Sequence, residues 1–179
     1  MSKDIRIKKG LDIKLVGAAQ KELDQAAAAQ FYYVRPEDFH SIIPKLVARE
    51  GTRVKAGETL FYNKSIEAMK FVSPVSGEIV EVQRGPKRRI DAFKIKADAT
   101  QEYLDHGIFN VSGKDAEDVK NHLLASGCWS FIKQRPYDVI ANPEKAPKSI
   151  FISGYASSPL AADLDFTLAG KEKEIQAAI

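Results

Sequence analysis

The sequence has few of the features that mark exported, membrane-spanning or metal-binding proteins. Its single cysteine, Cys128, cannot form a disulfide within the chain, which predicts a reducing compartment. No apolar run approaches the ~20 residues of a membrane-spanning helix, and the first ten residues lack the apolar segment of a signal peptide. The net charge of +3 is too small to indicate nucleic-acid binding. Composition therefore predicts a soluble intracellular globular protein without a nucleic-acid partner.

The composition is ordinary for a globular protein, but the charge is unevenly distributed. With 44% hydrophobic and 28% charged residues, the 179 residues suffice for one or two domains with a buried core. Residues 1–99 carry 19 Lys+Arg against 13 Asp+Glu, whereas residues 100–179 carry 8 against 11. We predict three regions: N-terminal strands and a loop in 1–30, a β module in 31–98, and helices with a first β-α unit in 99–179.

Residues 31–98 have the pattern of a small β barrel or sandwich. Apolar segments of roughly four to six residues alternate with Gly or Pro throughout this stretch, as the strands of such folds do. Pro74 is expected on an edge strand or at the first residue of a strand. Upstream, alternation of apolar and polar residues from Ile5 to Leu15 predicts two short strands or one bent strand. Turns that need positive φ are expected at four glycines, Gly51, Gly57, Gly77 and Gly85.

Helical signals begin after residue 112. Asp115 is suited to cap a helix over 116–126, in which Val119 and Leu123 form an apolar i, i+4 pair. Gly127 is expected to end this helix.

The rest of the chain has the pattern of an incomplete α/β domain. We predict a second short helix over 128–134 that ends at Arg135-Pro136, a buried strand over 149–153, and a helix over 170–179. Ile175, Ala178 and Ile179 give that last helix an apolar stripe at the end of the sequence. One strand and one helix begin a β-α unit but lack a parallel partner strand. We therefore expect a truncated second domain.

The tetrapeptide Glu67-Ala68-Met69-Lys70 reproduces the sequence around the modified lysine of biotin carrier domains. A carrier lysine lies at the tip of a tight hairpin. Here Pro74 follows Lys70 by only four residues, too few for a strand of ~5–6 residues. Phe71 also stands where carriers usually have a second Met. We expect Lys70 to lie solvated in a loop between two strands and not to be modified.

The sequence offers few groups for metal or cofactor chemistry. The histidines, His40, His106 and His122, are far apart without metal-ligand spacing, and one cysteine is too few for a Cys-ligated cluster. Cys128 follows a predicted helix and is expected to be buried rather than reactive. The chain has neither a G-x-G-x-x-G nor a G-K-[ST] phosphate loop. We predict no catalytic residue and no metal site, and we assign no cofactor contact.

Four cations are concentrated in one predicted turn. Arg84, Lys87, Arg88 and Arg89 lie within six residues and flank Gly85-Pro86. One interpretation is a solvated hairpin tip. The other is docking to an acidic partner or to anionic lipid, where each basic residue near the surface contributes ~1 kcal/mol. Four such residues assist binding without providing a stable anchor by themselves.

Several segments, taken together in chain order, resemble a known family. They are residues 7–12 (IKKGLD), 54–61 (VKAGETLF), 73–80 (SPVSGEIV), 84–88 (RGPKR), 126–129 (SGCW), 135–136 (RP), 150–152 (IFI) and 159–163 (PLAAD). Each segment is a weak signal alone, whereas the ordered set covers nearly the whole chain. The set is similar to the A subunit of the Na+-translocating NADH:quinone oxidoreductase, a family whose members are substantially longer.

The resemblance implies an α+β fold. Residues 31–97 would form a barrel-sandwich hybrid related to biotinyl and lipoyl domains. The start of an α/β domain related to the flavin- and NADH-binding subunit of complex I would follow. In that relative a run of glycines holds the flavin, but here the matching stretch 127–131 carries the bulky Trp129 and Phe131. Bulky side chains block close backbone approach to a phosphate, so we expect neither flavin nor a covalent cofactor.

The resemblance also implies partners and a location. It favours a scaffold-like N-terminal fragment without a redox centre, in a complex that passes electrons from NADH to ubiquinone while moving sodium. The subunit would be peripheral, without a transmembrane segment, on the cytoplasmic face of the bacterial inner membrane, and associated with ubiquinone and the other subunits. The alternatives are a carrier domain modified at Lys70 and a stand-alone barrel-sandwich binding module. Intact mass tests the carrier, and co-purification with membrane redox subunits tests the module.

Overall fold

The computed structural model describes Arg6, Gly10 and residues 15–17, 19–154, 156, 158 and 160–178. Its contacts group the chain into two compact units: Ala27–Ala146, and Met1–Ala26 together with Pro147–Ile179. The strands predicted between Ile5 and Leu15 fall on a stretch in which few residues are described, so they stay a prediction. No helix among the described residues is long and apolar enough to cross a membrane.

Seven strands form a β module in the unit 27–146. They make two antiparallel sheets, one in the order β1-β7-β6-β3 and the other in the order β2-β4-β5. The strands are β1 (Phe31–Val34), β2 (Pro44–Leu46), β3 (Arg53–Val54), β4 (Thr59–Asn63), β5 (Ile66–Val72), β6 (Gly77–Arg84) and β7 (Ile90–Ala97). Short 3-10 turns cover Pro36–Asp38 and Pro86–Arg88.

Both sheets contribute to one apolar core. Phe61 on β4 is completely buried and stacks on Phe71 of β5 at 4.7 Å and on Phe93 of β7 at 5.5 Å, each with ring planes 9° apart. Burying one such ring contributes about 1.5–3 kcal/mol, and each aromatic pair adds about 0.5–1.5 kcal/mol. The stack therefore ties the two sheets together and fills the interior of the module with side chains.

The four glycines at the predicted corners serve two different needs. Gly51 and Gly57 have φ of 77° and 90°, as predicted. Gly77 and Gly85 lack positive φ, so that part of the prediction is wrong. A Cβ at Gly77 would lie 2.1 Å from the carbonyl oxygen of Lys96, and a Cβ at Gly85 would lie 2.4 Å from the carboxylate of Asp91. Gly77 therefore needs glycine because a backbone atom approaches it closely, whereas at Gly85 the neighbour is the end of a side chain that can move.

The region around Lys70 differs from the sequence prediction. The β4–β5 hairpin turns at Lys64-Ser65, where the side-chain oxygen of Asn63 accepts a hydrogen bond from the Ser65 N–H at 3.2 Å. Because this turn comes early, β5 begins at Ile66 and Lys70 lies within the strand, opposite Tyr62. Lys70 is exposed but not in a loop. Pro74 lies in the bend between β5 and β6 and not in a strand.

After β7 the chain stays bound to the β module. The Ala56 N–H donates to the Glu102 carbonyl at 2.9 Å, and the Leu104 N–H donates to the Ala56 carbonyl at 2.8 Å. Ser76 is 1% exposed, and its hydroxyl accepts a hydrogen bond from the Glu102 N–H at 2.9 Å. These bonds pair the backbone groups that a departing chain would otherwise leave buried without partners.

Helix α1 (Ala116–Ala125) confirms the capping prediction. The Asp115 carboxylate accepts a hydrogen bond from the Asp118 N–H at 2.8 Å, and Gly127 follows the helix with φ of 77°. This left-handed conformation is the common end of a helix.

The helix predicted over 128–134 is only partly correct. A 3-10 helix covers Cys128–Phe131, and the chain then forms β8 (Lys133–Gln134), which pairs with β9 (Val139–Ile140). The Trp129 indole N–H donates to the Ala141 carbonyl at 2.7 Å, and the ring packs against the core. Cys128 is exposed, so the prediction of burial is wrong. The tight turn directs Trp129 and Ser130 inward and leaves Cys128 outside.

The second unit contains two described helices, α2 (Leu164–Thr167) and α3 (Glu172–Ala178), the latter within the helix predicted over 170–179. The strand predicted over 149–153 is wrong, since this stretch has no regular secondary structure. Ile150, Phe151 and Ile152 are 74%, 91% and 69% exposed. No described residue pairs with the stretch in a sheet, and a strand requires such a ladder.

Candidate docking surface

The outer face of β1, β7 and β6 carries the candidate surface. In the strand register, Phe31 lies opposite Lys96 and Tyr33 opposite Lys94, while Gln83 lies opposite Ala92. The alternate residues of β7, Phe93 and Ile95, are completely buried. Because strand residues alternate between faces, Ala92, Lys94 and Lys96 share the outer face with their partners.

Two aromatic rings and a lysine interact on this face. The Lys94 ammonium lies 4.8 Å from the ring centre of Phe31 and 6.0 Å from that of Tyr33. A cation within about 6 Å of an aromatic face is attracted by its quadrupole, at about 0.5–1 kcal/mol for an exposed pair. Phe31 and Tyr33 are 37% and 51% exposed, so the rings remain accessible.

The four predicted cations lie together in the turn between β6 and β7. Arg84 donates from its guanidinium to the Arg88 carbonyl at 3.2 Å, and Arg89 Nε donates to Asp91 Oδ1 at 2.8 Å. Lys87 and Arg88 have positive φ, 57° and 61°, and both are exposed. Neither takes part in an ion pair with another described residue, so the two cations face the surroundings. We call residues 84–89 the basic turn.

A groove adjoins the basic turn on the same face. It has a volume of about 590 Å³. Two arginines and two carboxylates share its lining, which consists of Tyr33, Arg35, Glu37, Gln83, Arg89, Asp91 and Ala92. Arg35 forms an ion pair with Glu37. Of these residues, only Arg89 belongs to the set that the sequence singled out. Period-two alternation places 31, 33 and 35 on one face of a strand and 92, 94 and 96 on one face of another, but the sequence does not show that the two strands are neighbours.

The other residues singled out from the sequence lie elsewhere. His106 and His122 are neighbours in the fold although 16 residues separate them: their ring centres are 6.4 Å apart, and His122 stacks on Phe109 at 4.2 Å. The expectation that all three histidines are far apart is therefore wrong for this pair. The described residues contain no group of three or more metal-ligating side chains.

The shifted pKa values lie outside this surface: backbone hydrogen bonds lower that of the Glu172 carboxyl, and the others belong to exposed ion pairs. The hydrogen bond from Arg53 to Asp98, at 2.7 Å, raises the pKa of the Arg53 guanidinium. In the other unit, a hydrogen bond to Lys21 lowers the pKa of the Asp163 carboxyl, and the same bond raises the pKa of Lys21. Arg53 therefore offers a paired arginine for comparison with Arg35 and Arg89.

Two antiparallel sheets closed around one core, with a carrier-like Glu-Ala-Met-Lys segment, define the class of barrel-sandwich hybrids. The family comparison agrees. Residues 5–98 match the NqrA N-terminal barrel-sandwich hybrid domain, and residues 114–179 match the NqrA second alpha/beta domain. The chain belongs to the NqrA family, which confirms the family and the fold class that the sequence predicted.

Curated relatives are named as the A subunit of the Na(+)-translocating NADH-quinone reductase. The protein of Pseudomonas aeruginosa (strain UCBPP-PA14) is 30% identical over 177 residues, which are 98% of this chain and 40% of the relative. The protein of Tolumonas auensis is 34% identical over 170 residues, with 92% of this chain and 37% of the relative covered. The chain thus spans about 40% of the length of the curated relatives it matches.

Proposed function

We propose that this chain is the N-terminal region of the peripheral NqrA subunit of a sodium-pumping NADH:ubiquinone oxidoreductase, where it serves as a scaffold and has no redox centre of its own. The observation that carries this proposal is the match, in chain order, to both NqrA domain models. Relatives at 30% and 34% identity carry the name of that subunit. In this proposal the subunit lies on the cytoplasmic face of the bacterial inner membrane, next to other subunits and to ubiquinone.

The packing of the β module supports a scaffold role. Its interior is filled by the stacked rings of Phe61, Phe71 and Phe93. Because side chains fill the interior, we expect binding partners to contact the outer surface of the module. The exposed cations of the basic turn, Arg84, Lys87, Arg88 and Arg89, are the part of that surface we propose for docking to the rest of the complex.

The position of Lys70 does not favour the carrier alternative. A carrier lysine projects from a hairpin tip, whereas the tip of the β4–β5 hairpin is Lys64-Ser65 and Lys70 pairs with Tyr62 within β5. We propose that Lys70 is unmodified. An intact mass that includes a biotin or lipoyl adduct would restore the carrier alternative.

We further propose that the chain binds no flavin. Trp129 is held in place by its hydrogen bond to the Ala141 carbonyl at 2.7 Å, in the stretch where the related flavoprotein subunit has glycines. The indole packs inward against the core, and the exposed side chain of this stretch is Phe131, where a phosphate site needs the close backbone approach that glycine allows. The purified chain should show no stoichiometric absorbance in the flavin bands, and a yellow protein would overturn this part of the proposal.

The docking role is tested by removing charge from the basic turn in the full subunit, produced with its membrane partners. The triple replacement Lys87→Ser, Arg88→Ser and Arg89→Ser should lower the fraction of subunit that co-purifies with the complex. The loss should be largest at low salt, because screening weakens charge steering for both proteins.

A matched triple replacement controls for net charge. Lys45, Arg49 and Lys64 are exposed cations outside the basic turn, and changing all three to Ser removes the same charge. This control should co-purify like the unaltered subunit. Both triple variants should keep a nearly unchanged melting temperature, since exposed substitutions usually change stability by within ~0.5 kcal/mol. Normal assembly of the basic-turn variant would contradict the docking role.

A further inference from the structure

The groove beside the basic turn has a floor made by one small residue. Of the outward residues of β7, Lys94 and Lys96 have long side chains and Ala92 has only a Cβ. Ala92 is nevertheless 4% exposed, because the surrounding longer side chains form walls around it. The resulting space of about 590 Å³ lies within the range of ligand sites, about 300–1,000 Å³.

Two arginines that line the groove use only part of their N–H donors. Arg89 is held through Nε by Asp91 at 2.8 Å, and Arg35 is held through Nη2 by Glu37. A guanidinium has five N–H donors in a rigid fork. Within 27–146, where every residue is described, the remaining nitrogens of these two side chains make no hydrogen bond to protein. Each fork is thus anchored at one nitrogen and open at the others.

Guanidinium groups that are already held in place favour a carboxylate ligand. Arginine binds carboxylates through two parallel hydrogen bonds, and a side chain that is already held loses less conformational freedom when the ligand binds. The lining itself is neutral, with Arg35 and Arg89 against Glu37 and Asp91, and the positive charge comes from its neighbours: residues 33–38 and 83–94 together carry six Lys+Arg against three Asp+Glu. A negatively charged group is therefore attracted to the groove in spite of Glu37 and Asp91.

The shape of the site favours a chain segment over a membrane surface. A flat bilayer surface contacts the side chains that protrude from a protein. Here the protruding cations are Lys87 and Arg88. Arg35 lines a recess whose floor is Ala92, which a narrow ligand can enter. Tyr33, 51% exposed at the wall, offers an apolar ring beside the two guanidinium groups.

We propose that this groove binds an extended peptide segment of a partner protein, with an acidic side chain on Arg35 and Arg89 and a neighbouring apolar side chain on Tyr33. The proposal rests on the proposed function, since the partner is another subunit of the same complex. It extends the docking site from the basic turn to the groove and gives the partner's chemistry.

The test uses the 179-residue chain and a fluorescein-labelled hexapeptide, Glu-Phe-Glu-Leu-Glu-Gly, with binding followed by fluorescence anisotropy. A second peptide with Gln in place of each Glu measures the part of binding that needs charge. We expect saturable binding of the acidic peptide only. Arg35→Gln should weaken it about tenfold, the usual effect of losing hydrogen bonds to a charged group. Ala92→Leu, which fills the floor, should weaken binding by at least as much.

Each variant has a matched control on the same module. Arg53→Gln removes an exposed arginine that is also ion-paired, to Asp98. Val80→Leu enlarges a residue of β6 that is 38% exposed and is not part of the groove lining. Both controls should bind the peptide within about twofold of the unaltered chain. Thermal unfolding of each variant checks that it folds, and Arg35→Gln keeps the test valid if Ala92→Leu does not fold.

Vesicles of phosphatidylglycerol distinguish a lipid from a peptide ligand. Binding to vesicles without binding to the peptide would overturn the proposal, as would normal peptide binding by Ala92→Leu and Arg35→Gln. Co-purification separates the two proposals. If the basic-turn triple variant is lost from the complex while the Ala92→Leu subunit is retained, docking stands and the groove proposal falls. If the unaltered subunit does not co-purify but its peptide binding needs Arg35 and Ala92, the groove binds peptides and the proposed function falls.

Discussion

The β module and the stretch 147–154 contain similar apolar sequences with opposite outcomes. In β7, Phe93 and Ile95 are completely buried, whereas Phe151 and Ile152 are 91% and 69% exposed. The residues of β7 have partner strands on both sides, β1 and β6, and an opposing sheet that covers their inner face. Residues 149–153 have no such ladder among the described residues. Apolar composition therefore leads to burial only where pairing places the residues on a covered face.

The same comparison holds for polar side chains at helix starts. Asp115 caps the ten-residue α1 in the unit 27–146, and Asp163 caps the four-residue α2 in the other unit. The hydrogen bonds have similar lengths, 2.8 Å and 3.1 Å. α1 has a buried residue, Leu124, whereas α2 has none. The capping hydrogen bond thus forms in both units, but only α1 is also held by a buried side chain.

Truncation of a phenylalanine should have the largest effect in the β module and almost none in the stretch 147–154. Phe93→Ala should lower the free energy of unfolding by about 3–5 kcal/mol, because it removes a stacked ring and leaves a cavity. Phe151→Ala should change it by less than ~0.5 kcal/mol. Urea unfolding followed by circular dichroism, which reports on the secondary structure of both units, measures both. Equal losses would show that Phe151 is packed.

Added side-chain volume at glycine should have the next largest effect. Gly77→Val places a Cβ 2.1 Å from the Lys96 carbonyl oxygen, so β6 and β7 must separate, at a cost of about 3 kcal/mol. Gly154→Val is the control, since nothing lies within 4 Å of a Cβ there. The melting temperature of the control should stay close to that of the unaltered chain. A well-folded Gly77→Val protein would mean that the two strands are not so closely paired.

Removing the cap of α1 should have a moderate effect. Asp115→Ala leaves the Asp118 N–H without its acceptor and should cost about 1 kcal/mol, as N-cap losses usually do. Asp115→Asn retains an acceptor and should recover most of the loss. Circular dichroism during urea unfolding detects the difference, and an alanine variant as stable as the asparagine variant would show that the cap is dispensable.

The smallest effect concerns the ion pair between Lys21 and Asp163, at 2.6 Å. The hydrogen bond to Lys21 lowers the pKa of Asp163 in the folded chain. This bond therefore stabilises the folded state above the unfolded pKa of about 3.9, and the contribution disappears as the pH falls through the lower folded pKa.

Carbon-detected NMR titration of Asp163 measures the shift directly. Lys21→Ala should raise the Asp163 pKa toward its ordinary value. The part that remains lowered belongs to the backbone hydrogen bonds of Asp163, first that from the Phe166 N–H and then that from the Asp165 N–H. An unchanged pKa in this variant would show that the two side chains do not pair in solution.

Much of the β module follows from local sequence. Short apolar segments separated by Gly or Pro predict the strands. The chain reversals at Gly51 and Gly57 require positive φ, which glycine adopts without a steric cost. The Asp115 cap and Gly127 set the limits of α1 for equally local reasons. Each of these features depends on dihedral angles and hydrogen bonds within a few residues, so the order of residues is enough to specify it.

The pairing of the strands and the burial of individual side chains depend on the tertiary structure. An early hairpin turn draws Lys70 into β5, the 3-10 turn after Gly127 leaves Cys128 exposed, and the absence of a ladder among the described residues leaves 149–153 outside any sheet. The groove is the clearest case. Arg35 and Arg89, 54 residues apart in sequence, line the same groove as Ala92 because β1 pairs with β7 in one register. A shift of that register by one residue would turn every side chain to the other face, and the energy that selects the register comes from the buried core.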